Sequence, residues 1–200
     1  MARPRLKPLV IVMVRAPLPG KTKIRLTKQI GSTEALRFYR ATTATVLRRL
    51  ARDPRWQLVL AVTPDHHVRS RFWPADVVRL PQGVGGLGRR MRLFLSVPRG
   101  RPTVLIGSDI PNVRPAHIAG ALRKTTASNL VLGPAGDGGF WLIATQARPL
   151  RRALFDNVRW SSEFALADTI RNWGGAVALA TRLSDVDTLE DYLQWRRDVR

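Results

Sequence analysis

The 200 residues suffice for one domain with a real core, and a hydrophobic content of 44% is that of a chain that folds unaided rather than a disordered basic tail. There is no cysteine, which excludes a disulfide framework, a thiolate metal site and a thiol nucleophile. The net charge of +20 predicts attraction to polyanions, but the arginines are spread through nearly every segment, without the aromatic interleaving or motif spacing of a specific nucleic-acid binder.

In chain order, Leu9 to Val14 is a continuous apolar run that reads as a strand buried on both faces. It is far shorter than the ~20 residues of a membrane span, and Met1 to Lys7 before it carries no secretory pattern. A cytoplasmic protein is therefore expected. A Pro/Gly loop, Ala16 to Gly20, precedes a long helical pattern with Ser32 as N-cap, Tyr39, Val46, Leu47 and Leu50 on one face, and a stop before Pro54. Trp56 to Val62 is a second buried strand, Asp65 to Phe72 a short helix and Val77 to Leu80 a short strand. The glycine cluster Gly83 to Gly88 leads into a helix through Met91 and Phe94, then come a strand at Thr103 to Ile106 and a helix at Ala116 to Leu122. Asn129 to Leu132 and Phe140 to Ala144 read as strands around a Gly-rich turn. Ser161 to Trp173 reads as a helix ended by Gly174-Gly175, Ala176 to Ala180 as a last strand, and Thr188 as the start of a closing helix. Strand–helix alternation predicts one α/β domain over 1–200, with a three-layer, mostly parallel sheet and ligands beyond the strands' carboxyl ends.

Two stretches carry the chemistry. Asp109 stands between Ser108 and Ile110-Pro111 after a buried strand, and Asp137 stands in Gly136-Asp137-Gly138-Gly139. Each has an ordinary reading, as a helix-capping or Asx-turn residue for Asp109 and as a hairpin tip for Asp137. Together, with Lys21, Lys23 and Arg25 upstream, they outline a metal–phosphate site, since oxygen ligands suit a hard divalent cation. Gly20-Lys21-Thr22 is not a Walker A loop, because Arg15 stands where glycine is required and Pro17 and Pro19 remove backbone donors. The segment is then either a phosphate-reaching loop or an ordinary basic turn. Gly86 and Gly88 could admit a nucleotide to a helix N-terminus or form a plain surface loop. Asp185 and Asp187 read as caps of the final helix, with Asp187 or Thr188 as N-cap. His66, His67 and His117 have no metal-ligand spacing, and no Gly-x-Ser-x-Gly elbow is present.

The motifs Ala16-Pro17-Leu18-Pro19-Gly20, Lys23-Ile24-Arg25-Leu26, Leu87-Gly88-Arg89-Arg90-Met91, Ile106-Gly107-Ser108-Asp109-Ile110-Pro111, Gly133 to Ile143, Trp160-Ser161-Ser162 and Asp185-Val186-Asp187-Thr188 occur in one order. In that order the chain resembles a GT-A-like bacterial glycosyltransferase family, of the arsenosugar-biosynthesis type, within the nucleotide-diphospho-sugar transferase superfamily. The resemblance implies a GT-A (Rossmann-like) fold, with Ala16, Pro17, Gly20, Lys23, Arg25, Gly86 and Gly88 near the nucleotide. It implies Asp109 and Asp137 as catalytic residues holding Mg²⁺ or Mn²⁺, and Gly138, Gly139 and Trp160 on the sugar or acceptor side. The chain departs from the family pattern at Ile24, Arg89 and Phe140-Trp141, and Gly107 breaks the Asp-x-Asp pair of many sugar transferases. The implied activity is metal-dependent transfer from a nucleotide-activated donor, a nucleotide sugar, to an acceptor that the sequence does not name. The alternatives are nucleotidyl transfer from an NTP with pyrophosphate release, as in the related guanylyltransferases, and a non-catalytic polyanion-binding protein.

Overall fold

The computed structural model describes residues 6–96, 100–146 and 150–198. Strand β1 (Leu9–Arg15) is followed by α1 (Ile24–Ile30), α2 (Ser32–Ala51), β2 (Gln57–Thr63), β3 (Val78–Pro81), α3 (Leu87–Ser96) and β4 (Thr103–Gly107). Then come α4 (Pro115–Lys124), β5 (Leu130–Pro134), β6 (Phe140–Thr145), α5 (Ala165–Trp173), β7 (Val177–Leu179) and α6 (Leu189–Asp198). The seven strands form one sheet in the order β3-β2-β1-β4-β6-β5-β7. Every neighbouring pair is parallel except the two made by β6, which lies antiparallel between β4 and β5.

Burial on both faces explains the continuous apolar strands. Val10, Val12 and Val14 of β1 pack in one core with Val46, Leu47 and Leu50 of α2 and Ile118 of α4. Leu9 and Ile11 point the other way, among Met91, Phe94 and Leu95 of α3, with Leu166 and Ile170 of α5 against the same core. The result is the expected three-layer, mostly parallel α/β architecture.

A third, smaller cluster brings the chain's end to its beginning. Leu26, Phe38, Val186 and Tyr192 pack together, with the Phe38 and Tyr192 rings edge-on at 5.3 Å. The Tyr192 hydroxyl donates to Glu34 at 2.8 Å, and Leu189 N–H donates to the Gln29 side chain at 2.8 Å. Docking α6 across α1 and α2 lays residues 180–188 over the carboxyl edge of the sheet.

Local differences from the sequence reading have identifiable causes. The segment 24–30 folds as a separate helix, and Gly31 (φ 83) breaks it from α2. Gly31 N–H bonds Thr27 O while its carbonyl receives Ala35 N–H. Ser32 is therefore the first helical residue, with no side-chain cap bond, rather than the N-cap. The expected helix at 65–72 shrinks to a 3₁₀ turn, Asp65–His67, because the Trp73 indole takes the His67 carbonyl at 2.9 Å. Helix α5 starts only at Ala165. Before it, Ser161 has φ 59, and the Ser162 hydroxyl donates to Arg159 O and accepts from Phe164 N–H.

Candidate active site

Strands β1, β2, β4, β5 and β7 run in one direction, so the segments that follow them emerge at one edge, where β6 begins. That edge carries an open cleft of about 730 Å³. Lys21, Lys23 and Arg25 enter it after β1, Asp109 after β4, Asp137 from the β5–β6 turn, and Asp185 and Asp187 after β7. The aspartates picked from sequence, 109 and 137, thus line the same cleft, although 28 residues and a helix–strand pair separate them.

Asp109 is open to solvent, its side chain 55% exposed and 4.0 Å from the Lys23 ammonium. Its neighbour Ser108 is buried and lies 3.3 Å from the Tyr39 hydroxyl. Tyr39 also donates to Arg15 O at 2.8 Å and accepts from Arg15 N–H at 3.2 Å. One phenol therefore ties the end of β1 to the Asp109 turn. Burial, and then the Asp109 charge, raises its pKa, so it stays a neutral donor. Asp137 accepts from Gly139 N–H at 2.9 Å through one oxygen, the Asx turn of a hairpin tip, while lining the cleft.

Lys23 is the centre of the charge arrangement. It sits in the left-handed region (φ 48) at the mouth of α1, its side chain only 4% exposed, with the ammonium 2.6 Å from Asp187 Oδ1. Burial by itself would lower its pKa, but Asp109 and Asp187 outweigh that and hold it above the ordinary lysine value. Its charge is directed at carboxylates of the protein. Asp187 is accordingly an ion-pair partner and not the helix cap. The cap is Thr188, whose hydroxyl accepts Asp191 N–H at 3.2 Å while Asp191 accepts Thr188 N–H at 2.9 Å, a reciprocal capping box.

Asp185 carries the spare acidity. Burial first, and the Asp187 charge second, push its carboxyl up to about 6, and its hydrogen bond to Asp187 favours the protonated form. A folded-state pKa above the ordinary 3.8 means folding takes up a proton between about pH 4 and 6. The stabilising contribution is present below that window and lost as pH rises through it. Asp185→Asn, which keeps a donor toward Asp187, is expected to raise stability at neutral pH by about 1 kcal/mol, solvent screening of this half-buried group limiting the gain. Denaturant unfolding of parent and variant across that pH range checks both the gain and its disappearance in acid.

Of the other candidates, Arg25, Gly139 and Trp160 line the cleft, whereas Ala16, Pro17, Gly20, Gly86, Gly88 and Gly138 do not. Ala16 is buried, with its N–H on Thr63 O. Pro17 and Gly20 belong to the surface turn before α1, and the Gly86 carbonyl receives Arg90 N–H at the entry to α3. Gly88 is small for packing: a Cβ there would meet Phe155 Cβ at 2.8 Å and Trp160 at 3.2 Å. Gly138 (φ +82) faces protein too, since a Cβ would fall 2.4 Å from Glu163 Cα and O. Gly138→Ala is expected to cost about 2–4 kcal/mol through the clash and left-handed strain, read as a lowered unfolding midpoint.

The wall bearing Trp160 is pinned from behind. Asp168, at 4% exposure, receives Arg159 Nε at 2.9 Å and Nη2 at 2.8 Å, together with Arg171 Nη2. These guanidinium contacts hold its carboxyl well below the usual carboxylate range.

Among the described residues no three acidic or histidine side chains converge as a metal cage. The donor chemistry nonetheless suits a hard cation shared with a ligand: Asp109 is exposed and Asp137 keeps a second oxygen. Magnesium in particular binds through one or two carboxylates plus substrate phosphates.

This architecture is the one shared by nucleotide-diphospho-sugar transferases and nucleotidyltransferases. A candidate nucleotide-diphospho-sugar transferase from Desulfovibrio desulfuricans G20 superposes with a TM-score of 0.87 at 26% identity, over 98% of this chain and 88% of the other. The manganese complex of Rv0371C from Mycobacterium tuberculosis gives 0.51 at 20% identity, over 94% and 97%. A nucleotidyl transferase from Methanothermobacter gives 0.61 at 14%, over 96% and 97%. The bacterial family DUF2064, described as "uncharacterized protein conserved in bacteria", matches residues 46–162, and the chain belongs to it. No curated protein matches the sequence.

Proposed function

We propose that this protein is a cytoplasmic, metal-dependent transferase that moves a glycosyl group from a nucleotide sugar to an acceptor. The observation that carries the reading is the meeting, in one cleft, of Asp109 and Asp137 with the cations of the segment after β1. Lys21 and Arg25 supply charge-assisted donors to the diphosphate. A Mg²⁺ or Mn²⁺ held by Asp109 and Asp137 would neutralise charge developing on the leaving diphosphate. Lys23, already neutralised by Asp187, orients the carboxylates rather than binding phosphate first. Trp160 and Gly139 border the side open to sugar or acceptor.

The likeness to a nucleotidyl transferase keeps one second reading in play, attack on the α-phosphate of an NTP with release of pyrophosphate. Product analysis separates the two: a free nucleoside diphosphate from a sugar nucleotide supports glycosyl transfer, pyrophosphate from an NTP supports the alternative. Absence of nucleotide binding with or without Mn²⁺ would overturn both.

A further inference from the structure

The α3 side of the cleft holds a cation that the phosphate site does not use. The amide of Gln82, buried at 3% exposure, donates to Val14 O at 3.2 Å and Ala61 O at 2.8 Å. Both amide hydrogens are thereby committed to the ends of β1 and β2, and Gln82 Oε1 is left to accept Arg90 Nη1 at 2.8 Å. Gln82 therefore acts as a rigid mount, and Arg90 is what it presents to the cleft.

The Arg90 guanidinium is otherwise unmet. Its Nε is buried without an acceptor, and among the described residues no carboxylate lies within ion-pair distance of it. Arg90 stands on α3, whose Met91 packs with Ile11 and Val59. Tyr39 and Lys23 belong to the opposite layer, with α1 and α2. On the same face of the sheet as α3, Met13, Met91 and Leu105 pack together and line the cleft. An apolar wall beside one fixed fork of donors fits a flat heterocycle bearing paired acceptors better than it fits a sugar, which needs donors and acceptors in many directions.

We infer that Arg90, mounted on Gln82, selects the base of the donor nucleotide and that the base is guanine. The inference rests on the proposed nucleotide-binding role of the cleft. Guanine offers two adjacent acceptors, O6 and N7, on the edge remote from its ribose, matching the two parallel N–H groups at the Nη1–Nη2 end of the guanidinium, the Nε–H being buried. Adenine sets an amino donor beside N7, and uracil sets an N–H between its carbonyls. The acceptor pair of cytosine, O2 and N3, lies against the ribose, where a fork at the end of the pocket meets the sugar first.

The test is isothermal titration of the full chain with GDP, ADP, CDP and UDP in the presence of Mn²⁺, on the parent, Arg90→Met and Arg90→Lys. The parent is expected to bind GDP about ten- to a hundredfold more tightly than ADP. Arg90→Met should collapse that ratio to near one while ADP affinity changes little, and Arg90→Lys, which keeps charge without the fork, should recover overall affinity but not the ratio. Unfolding midpoints accompany each titration, because a purely structural role would weaken all four nucleotides together. Equal binding of the four by the parent, tighter CDP than GDP, or an unaltered ratio in Arg90→Met would overturn the assignment while leaving a nucleotide site. No binding of any nucleotide would overturn this inference and the proposed function together.

Discussion

Asp109→Asn is expected to lower turnover about 10²–10³-fold, the scale seen when one preorganised stabiliser of developing charge is removed, with the fold intact and only a small fall in the thermal midpoint. The two halves of that expectation come from separate observations. The side chain is 55% exposed and its ion-pair contact is a 4.0 Å approach to the buried Lys23 ammonium, which Asp187 holds at 2.6 Å, so losing the Asp109 charge weakens the fold without breaking it. The position, directly beyond β4 and beside the Tyr39–Ser108 contact, faces the cleft in which we propose that the ligand binds. Asparagine preserves shape and removes the charge. Steady-state kinetics with a saturating divalent cation, paired with thermal unfolding, reads both. Parent-like turnover, or a turnover loss matched by an equal loss of folded protein, would remove Asp109 from the chemistry.

The layered fold was legible because a sheet covered on both faces needs continuous apolar strands, and Leu9 to Val14 and Thr103 to Ile106 show them without alternation. The antiparallel insertion of β6 was not, since local pattern shows a hairpin around Asp137 but not the strand beside which the hairpin docks. Helix α1 was hidden by the charge around its start: Lys21, Lys23 and Arg25 suggest a phosphate-reaching loop or a basic turn, and Leu26 is seen to pack with Phe38 and Tyr192 only in the fold. The same long-range packing explains the largest gap at the site. Asp185 and Asp187 look like caps because they precede a helix, and only the docking of α6 across α1 and α2 sets them beside Lys23, 164 residues away from Asp187. Gln82 gave no local signal and Arg90 only its place in the Leu87-Gly88-Arg89-Arg90-Met91 motif, because the meaning of that pair depends on carbonyls at the ends of two other strands.

The glycines divide on a physical line. Gly88 and Gly138 sit within recognisable motifs, but the space that a Cβ would fill is occupied by Phe155 and by Glu163, respectively. Their smallness lets α3 pack on the segment carrying Trp160 and lets the β5–β6 turn approach the loop before α5. Both shape the cleft from outside it. The cleft itself mixes Asp109, Asp137, Asp185 and Asp187 with Arg15, Lys21, Lys23, Arg25 and Arg90, so charges of both signs face a ligand there.

Lys23→Met tests whether the carboxylates beside it are held together by one ammonium. The substitution keeps nearly the same length and the same left-handed backbone strain, so the difference reports charge. Removing one partner of a fully buried pair costs about 3–5 kcal/mol. Asp187, with its side chain 38% exposed, is partly rehydrated, and the expected loss at neutral pH is about 2–3 kcal/mol. The pH dependence gives the sharper reading. In the parent, the raised Lys23 pKa means that its contribution is fully present below the ordinary lysine value of 10.5 and declines as pH rises through the higher folded value. In the variant, Asp185 and Asp187 lose the ammonium that lowers the pKa of both, their pKa values rise, and the folded state takes up protons that the unfolded chain does not. Stability of the variant should therefore climb as pH falls from about 7 to about 5, narrowing its gap to the parent. Guanidinium is unsuitable as denaturant because its salt screens the effect, so urea unfolding at low ionic strength is the measurement. No gap at any pH would mean that the ammonium adds nothing net to folding, and the carboxylates would then be held in place by the α6 docking alone.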